Sequence, residues 1–497
     1  MIKCYRGKVR KMFARRRPKS RRGTPIRPHP RSEDGPGGTI SKRVTFHEIS
    51  FLRKYRYPTR DAFSESAKSA SVVVGAQFGD EGKGKIIDFL SDLADVVARF
   101  QGGANAGHTV QVGNDLYAFH LLPSGVLRKR TMNVIGNGVV IEPAQLLKEI
   151  DETRARGHAV TNLRISDRAH VVMPYHKILD GLEEKLKGDM GAGTTLRGIG
   201  PAFEDKVGRF GIRMCDLVDP EVLRAKLRAI VPIKQRLIEA YGGSERIDAD
   251  AVFGEHEAYG KRLAPFVTDT SAWLDAALKR GKRILFEGAQ GTHLCIDHGV
   301  YPYGTSSDCV AGAAAVGAGI GPHYLTDILG VAKAFTSRVG SGPFPTELEG
   351  PIAEHLRERG GGEYGTTTRR PRRVGWLDLV MLRMAVRVNG LTRLAVTKLD
   401  VLGGLDRIRV CTGYRHDGGV VKEFPASMRI LSESGPVYRE FKGWPDLPED
   451  EWIGIASRGR RALPETTQRY VAFIESQLKV PARILSVGRS RAATMGR

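Results

Sequence analysis

Short apolar runs alternate with amphipathic stretches along the chain from Ser71 onward. The amphipathic stretches have helical spacing, as in Pro143–Arg156, where Leu146, Leu147 and Ile150 fall on one face. The apolar runs are rich in β-branched residues and predict buried strands. The predicted strands are Val72–Val74, Val96–Phe100, Met132–Ile135, Arg283–Phe286 and Arg393–Thr397. This alternation predicts an α/β fold with a large, mostly parallel central sheet flanked by helices.

The N-terminal segment has a different composition. Met1–Ala70 carries 20 Lys and Arg against five Asp and Glu, and so holds 15 of the 23 excess positive charges of the chain. It lacks periodic apolar residues, so we predict a disordered basic extension over residues 1–68 and one catalytic domain over residues 69–497. A dispensable extension is the favoured interpretation. An organelle-targeting sequence and a nucleic-acid arm are the alternatives.

The cysteines and the apolar runs limit the classes of protein that remain. An odd number of scattered cysteines without a Cys-x-x-Cys pair argues against a disulfide framework or a zinc site, and favours a reducing, cytoplasmic location. The most apolar run, Val310–Ile320, is too short and too rich in glycine to span a bilayer. It predicts a close-packed buried helix or turn. The cysteines are Cys4, Cys215, Cys295, Cys309 and Cys411.

A glycine-rich, charged loop follows the first predicted strand. Gly79–Lys85 has the spacing of a P-loop up to the last position, where Ile86 replaces the Ser or Thr whose hydroxyl binds Mg²⁺. A strand, a glycine loop and a helix in this order direct backbone N–H groups at phosphate. We therefore predict a P-loop-like phosphate site. If it binds a nucleotide, Asp80 is the residue that can supply the missing oxygen ligand.

A second glycine-rich segment follows the next predicted strand and ends in His108. Glycines let the backbone approach a ligand closely, and histidine exchanges a proton near neutral pH. A histidine in this position is often only structural. Beside a phosphate loop that carries an acid, a role in proton transfer is favoured.

Two later segments also carry candidate chemistry. Arg393–Asp400 ends an apolar strand with Lys-x-Asp, in which a carboxylate can accept hydrogen bonds from N1 and N2 of guanine; a solvated strand end is the alternative. Gly365–Arg373 places four arginines and three threonines in nine positions. Arginine binds carboxylate and phosphate through two parallel hydrogen bonds, which predicts an acidic substrate, with RNA as the competing ligand.

Several segments, in this order, resemble the adenylosuccinate synthetase family over Ser71 to about Arg491. Together they are far more specific than one glycine loop. The matching segments are Gln77–Lys85, Asn105–His108, Arg197–Arg209, Phe286–Thr292, Asp297–Tyr303, Val339–Glu347 and Thr397–Asp400.

The resemblance implies GTP-dependent joining of IMP and L-aspartate to give adenylosuccinate, GDP and phosphate, the first committed step from IMP to AMP. It implies a 6-phosphoryl-IMP intermediate, with Asp80 as the base that takes the N1 proton and His108 as the acid. Lys83 would neutralise phosphate charge. One Mg²⁺ per subunit would bind Asp80 and the carbonyl of Gly107.

The resemblance also implies the ligand-binding residues. A homodimer is expected, in which Arg209 reaches the partner's IMP site, and no nucleic-acid or membrane partner is expected. IMP is expected at Asn105, Thr195, Arg209, Gln290, Thr305 and Arg370. L-Aspartate is expected at Thr366, Thr367, Thr368, Arg369 and Arg372. GTP is expected at Gly79, Glu81, Gly82, Lys83, Gly84, Lys85, Thr109, Arg372, Lys398, Leu399, Asp400, Ser486, Val487 and Gly488.

Some positions depart from the family pattern and leave alternatives open. Leu196 and Arg369 stand where the family has glycine, and Val487 and Arg489 alter the end of the guanine pocket. The alternatives are a relative that acts on a guanine-type nucleotide, a catalytically silent GTP-binding paralogue, and an RNA-binding protein. Asp80 favours IMP as the acceptor.

Overall fold

The structure is a computed structural model that describes residues 70–112, 115–191, 193–364 and 371–496. The predicted extension and its boundary at residue 68 lie outside these residues and stay predictions. No described helix has the length and the apolar character needed to cross a lipid bilayer.

The strands lie in one large sheet and several small ones. In chain order they are β1 (Ala70–Gly75), β2 (Val96–Arg99), β3 (His108–Val112), β4 (Asp115–Phe119), β5 (Met132–Ile135), β6 (Val140–Ile141), β7 (Leu163–Ser166), β8 (His170–Val171), β9 (Val267–Thr268), β10 (Ile284–Glu287), β11 (Leu325–Lys333), β12 (Thr336–Arg338), β13 (Arg373–Gly375), β14 (Leu377–Asp378), β15 (Arg393–Thr397), β16 (Arg407–His416), β17 (Gly419–Val421), β18 (Gly435–Lys442), β19 (Ala482–Ser486) and β20 (Thr494–Met495).

Helices connect the strands of the large sheet. In chain order they are α1 (Lys83–Ser91), α2 (Pro143–Ala155), α3 (Pro174–Lys187), α4 (Ile199–Gly208), α5 (Met214–Leu217), α6 (Pro220–Ala240), α7 (Ala249–Leu263), α8 (Thr270–Lys279), α9 (Ala313–Ala318), α10 (Gly350–Glu358), α11 (Leu379–Asn389), α12 (Met428–Glu433), α13 (Glu449–Arg458) and α14 (Glu465–Leu478).

Ten of the described strands form the large sheet, in the order β20-β19-β15-β11-β1-β10-β2-β5-β7-β9. All neighbouring pairs are parallel except β19 and β20. Helices pack against its central strands. Because these strands are buried by the helices, the sequences of β2, β5 and β10 are nearly continuous apolar runs. The predicted α/β class with a mostly parallel sheet is confirmed.

The predicted elements are present with small shifts at their ends. Each of the five predicted strands corresponds to a strand of the large sheet. Pro143–Ala155 is helical, with Leu146, Leu147 and Ile150 buried as expected. The apolar run after Val310 contains α9, whose Gly317 packs so closely on Phe100 that a Cβ would stand 2.0 Å from the Phe100 carbonyl oxygen. The parallel arrangement brings the carboxyl ends of β1, β10, β11 and β15 to one edge, where open α/β sheets bind ligands.

Candidate active site

The loop between β1 and α1 is shaped by three left-handed residues. Gly79, Asp80 and Gly82 have φ angles of 86°, 56° and 85°, and Gly82 is the N-cap of α1. Left-handed conformation is easy for glycine and tolerated by aspartate. Ile86 is fully buried beneath the loop, which fits its lack of a ligand-binding role. The loop therefore presents the N-terminus of α1 at the sheet edge, a geometry suited to phosphate.

Glu81 holds this loop in shape. Its buried carboxylate accepts hydrogen bonds from the backbone N–H of Gln77 (3.0 Å) and Gly79 (2.8 Å), and forms an ion pair of 2.6 Å with Lys83. The Glu81 carbonyl accepts a bond of 2.7 Å from the Thr397 hydroxyl at the end of β15. The Glu81 side chain is thus turned into the protein, and its backbone alone remains to face a phosphate.

Asp80 faces outward from the same loop. Its side chain is 38% exposed, and its Oδ2 forms an ion pair with Arg372 Nη2 at 2.9 Å. Arg372 is nearly buried and also donates from Nη1 to Glu363 Oε2 at 3.0 Å. The structure therefore places the predicted base, Asp80, in contact with Arg372, which was predicted to bind both GTP and L-aspartate. Glu363 was not identified from the sequence, although an acid within Gly360–Glu363 beside the arginine-rich segment was a usable signal.

His108 lies on the other side of β1, where β3 begins. Its Nε2 is buried and lies 3.6 Å from Glu287 Oε1 at the end of β10. Burial lowers the pKa of His108, and the charge of Glu287 partly offsets this effect. Ser124 fixes Glu287 by donating from its backbone N–H (2.9 Å) and its hydroxyl (3.0 Å). Glu287 lies in the matched segment Phe286–Thr292, but the sequence did not reveal its contact with the histidine.

Three of the predicted IMP residues meet next to the phosphate loop. Gln290 donates from its amide to Asn105 Oδ1 (3.1 Å), and the Asn105 amide donates to the Thr305 hydroxyl (3.3 Å). Gly79 packs on the backbone of Gln290, since a Cβ at Gly79 would stand 3.4 Å from the Gln290 Cα. Residues from three distant segments thus form one polar wall beside the loop.

Three of the residues predicted to bind guanine, Asp400, Val487 and Gly488, line a cavity of about 190 Å³, together with residues such as Gly360 and Trp452. Burial raises the pKa of Asp400, and its buried Oδ1 has no hydrogen-bond partner among the described residues. An unpaired buried acceptor is costly, so this oxygen fits a ligand that supplies N–H donors.

Lys85 contacts Gly488, one of the residues that line this cavity. Its ammonium donates to the Ser486 hydroxyl (2.8 Å) and the Gly488 carbonyl (2.7 Å), and burial lowers its pKa to about 8. The phosphate loop and the guanine pocket are therefore directly connected. Leu399 is fully buried, which leaves only its backbone for a ligand.

The remaining predicted residues fall into three groups. Thr195 precedes α4 and Arg209 is its exposed C-cap, so the two lie at opposite ends of one helix. Thr109 lies in β3, Gly84 in α1, and Gly107 just before β3. The predicted residues that lie outside the described part of the chain are Thr366, Thr367, Thr368, Arg369 and Arg370.

Leu196, where the resemblance implies glycine, has a φ of 57° and an exposed side chain. The left-handed region costs a residue with a Cβ about 1–2 kcal/mol relative to right-handed backbone. Glycine avoids this cost, so the departure adds strain to the loop before α4.

The comparisons with known proteins identify the family of the chain. The family model described as adenylosuccinate synthetase matches residues 72–495. The chain belongs to the adenylosuccinate synthetase family. The adenylosuccinate synthetase of Caldanaerobacter subterraneus subsp. tengcongensis is 51% identical over 429 residues, which cover 86% of this chain and 99% of that relative.

Two solved structures share the fold. The fully ligated adenylosuccinate synthetase of Plasmodium falciparum matches with a TM-score of 0.80 and 38% identity, over 86% of this chain and 99% of its own. The succinoaminodeoxyadenylate synthetase of cyanophage S-2L, bound to dGMP and dATP, matches with a TM-score of 0.55 and 20% identity, over 86% and 95%. At that identity the second likeness shows the fold alone. The chain is thus a GTP-using ligase of its family, which forms adenylosuccinate from IMP and L-aspartate.

Proposed function

We propose that this chain carries out the reaction with Asp80 as base, His108 as acid and Lys83 as the cation that neutralises phosphate charge. The observation that carries the proposal is the position of the phosphate loop. The loop packs on Gln290 on one side and is bonded to Thr397, three residues before Asp400, on the other. A triphosphate on this loop would lie between an IMP held at the polar wall and the pocket around Asp400.

The chemistry requires a base and an acid on the purine. The oxygen of a lactam is a poor nucleophile until N1 loses its proton, and an exposed carboxylate such as Asp80 can accept it. O6 then attacks the γ-phosphorus and GDP leaves, which gives 6-phosphoryl-IMP. His108 stabilises charge on the transferred group and on O6, and the amine of L-aspartate displaces phosphate from C6.

The donors present fit a magnesium ion only in part. Among the described residues no group of three or more His, Cys, Asp and Glu side chains could hold a metal. Mg²⁺ commonly binds through one or two carboxylates and substrate phosphates, and the exposed Asp80 fits that pattern, with the Gly107 carbonyl as the second protein ligand. When bound, Mg²⁺ would supply neutralisation of triphosphate charge.

The direct test of the function uses the purified protein with IMP, GTP, Mg²⁺ and L-aspartate. Succinyl-adenylate absorbance should rise only when all four are present. Product formation with ATP in place of GTP, or with a guanine-type nucleotide in place of IMP, would contradict the assignment.

The homodimer can be tested by mixing two inactive variants. The partner subunit's Arg209 would complete each IMP site, and the exposed Val207 and Phe210 beside Arg209 are apolar enough for an interface. Asp80→Asn and Arg209→Ala should each be inactive alone. After mixing and subunit exchange, about a quarter of the wild-type activity should return, since half of the dimers are mixed and each has one intact site. No recovery, despite exchange shown by tagged subunits, would place Arg209 in its own site or in none.

Glu287→Gln should weaken catalysis through His108. Without the carboxylate charge, burial lowers the pKa of His108 further, so its acid form is lost at a lower pH. We expect kcat to fall by about 10–100-fold, the alkaline limb of the pH–rate profile to move to lower pH, and the KM for IMP to stay within about twofold.

The matched control is Ser124→Ala, which removes a hydrogen bond from the same Glu287 oxygen but keeps the charge. It should leave the alkaline limb in place. An unshifted limb in Glu287→Gln would show that Glu287 does not act on His108.

A further inference from the structure

The carboxylate of Glu363 is the centre of a buried group of charges, which we call the Glu363 cluster: Glu363, Lys333, Arg372 and Lys398. Oε2 of Glu363 accepts from Lys333 Nζ at 2.6 Å and from Arg372 Nη1 at 3.0 Å. Oε1 accepts from Lys398 Nζ. The Glu363 and Lys333 side chains are completely buried. One carboxylate thus holds three cations from three separate segments.

Electrostatics keep this carboxylate ionised. Burial alone would raise the pKa of Glu363, but the charges of Lys333, Lys398 and Arg372 outweigh burial and hold it well below the usual value. Burial also lowers the pKa of Lys333, to about 8. A neutral side chain in place of Glu363 would leave cations close together in a site of low dielectric, so they would separate or lose a proton.

Two of the three cations, Arg372 and Lys398, lie close to residues at the two ends of the proposed GTP site. Arg372 Nη2 forms an ion pair with Asp80 Oδ2 at 2.9 Å, so Arg372 lies between Glu363 and the proposed base. Lys398 has a left-handed backbone (φ 60°) two residues before Asp400. Lys333, by contrast, is enclosed between Glu363, Ser337 and the ring of Phe335. A substitution of Lys333 can therefore serve as a control, because it removes a charge from the Glu363 cluster at a residue that does not lie at either end of the proposed GTP site.

We propose that Glu363 is a positioning residue that holds Arg372 against Asp80 and Lys398 beside the guanine pocket. One buried carboxylate then orders the phosphate end and the base end of the GTP site together. The inference rests on the proposed function, because it takes Asp80 as the catalytic base and Asp400 as the guanine acceptor.

The test compares Glu363→Gln and Glu363→Asp with the wild type. Kinetics give kcat and the KM for each substrate, and a fluorescent GTP analogue gives binding without turnover. In Glu363→Gln we expect KM for GTP and the analogue Kd to rise by about 10–100-fold, because charge-assisted hydrogen bonds to two GTP-site residues lose their anchor. KM for IMP should stay within about twofold.

Glu363→Asp keeps the charge but is one methylene shorter, so it cannot reach Arg372 and Lys398 equally. It should fold even if Glu363→Gln does not, and should show an intermediate rise in KM for GTP. The proposal would be overturned if folded Glu363→Asp has the same KM for GTP as the wild type, and Glu363→Gln either also has that KM or does not fold.

Two control variants separate positioning from a general loss of stability. Lys333→Met removes a buried charge from the cluster, and should lower the melting temperature while KM for GTP stays within about twofold. Glu358→Gln removes the charge of the carboxylate that accepts from the hydroxyl of Tyr364, the neighbour of Glu363 in the chain, and should leave kinetics unchanged. If Lys333→Met raises KM for GTP as much as Glu363→Gln does, Glu363 is only structural. If the wild type itself forms no adenylosuccinate, the proposed function fails, and GTP-analogue binding still reports on Glu363 separately.

Discussion

The Asp80→Asn variant is expected to lose adenylosuccinate formation by about 10²–10⁴-fold, the range in which a positioned general base contributes. GTP binding should stay within a few fold, because the loop is held by the Glu81 carboxylate and the backbone, neither of which the change touches. Asparagine keeps the size of Asp80 and its ability to accept a bond from Arg372. The loss should therefore appear in kcat.

One measurement, with a control variant, locates the lost step. Scrambling of the β,γ-bridging oxygen of GTP in the presence of IMP, without L-aspartate, reports formation of 6-phosphoryl-IMP and should disappear in Asp80→Asn. Asp92→Asn, at the other end of α1 and ion-paired with Arg128, is the matched control and should behave as the wild type. Normal oxygen scrambling in Asp80→Asn would remove Asp80 from the role of base.

The second large effect is expected for Asp400→Asn, in the choice of nucleotide. The Asp400 carboxylate can accept two hydrogen bonds, from N1 and the 2-amino group of guanine. Asparagine offers one acceptor and one donor, which suits the 2-oxo group of xanthine instead. We expect kcat/KM for GTP to fall by about 10²–10³-fold and the value for XTP to rise, since each hydrogen bond to a charged group contributes about 1.5–3 kcal/mol.

The measurement is kcat/KM with GTP, ITP, XTP and ATP. In the wild type, ITP separates the contribution of the 2-amino group, which it lacks. Asp406→Asn changes an exposed acid in the connection between β15 and β16, and should leave the preference intact. An unchanged order of nucleotides in Asp400→Asn would refute the pocket assignment.

Local signals in the sequence were sufficient for the strands that are buried on both faces. β1, β2, β5, β10 and β15 are short apolar runs, and their burial against helices makes the pattern nearly continuous. β11 was not predicted, because its first four residues, Leu325–Ile328, are only half-buried and include Thr and Asp. A strand that runs from a half-exposed edge into the core shows neither the apolar–polar alternation of a half-buried strand nor the continuous apolar run of a fully buried one.

The residues of the site divide in the same way into those that a local pattern predicts and those that it does not. Motifs placed Asp80, His108 and Asp400 in the chain, and the structure brings their strand ends to one edge of the sheet. Glu287 and Glu363 were missed because each acts through a contact with a residue more than 30 positions away or in another segment. Spacing along a sequence identifies residues that are neighbours on one helix or strand. The contacts of Glu287 and Glu363 depend instead on the order of the strands in the sheet.

The strand order also bears on when the enzyme becomes active during its synthesis. The phosphate loop follows β1 and leaves the ribosome early, but Ser486 and Gly488, which fix Lys85, come from the end of β19. Parallel neighbours such as β15 and β19 cannot pair until the intervening chain has folded across. A nascent chain therefore carries an incomplete nucleotide pocket until β19 and Gly488 have been translated, and ribosome-bound intermediates that lack them should not consume GTP.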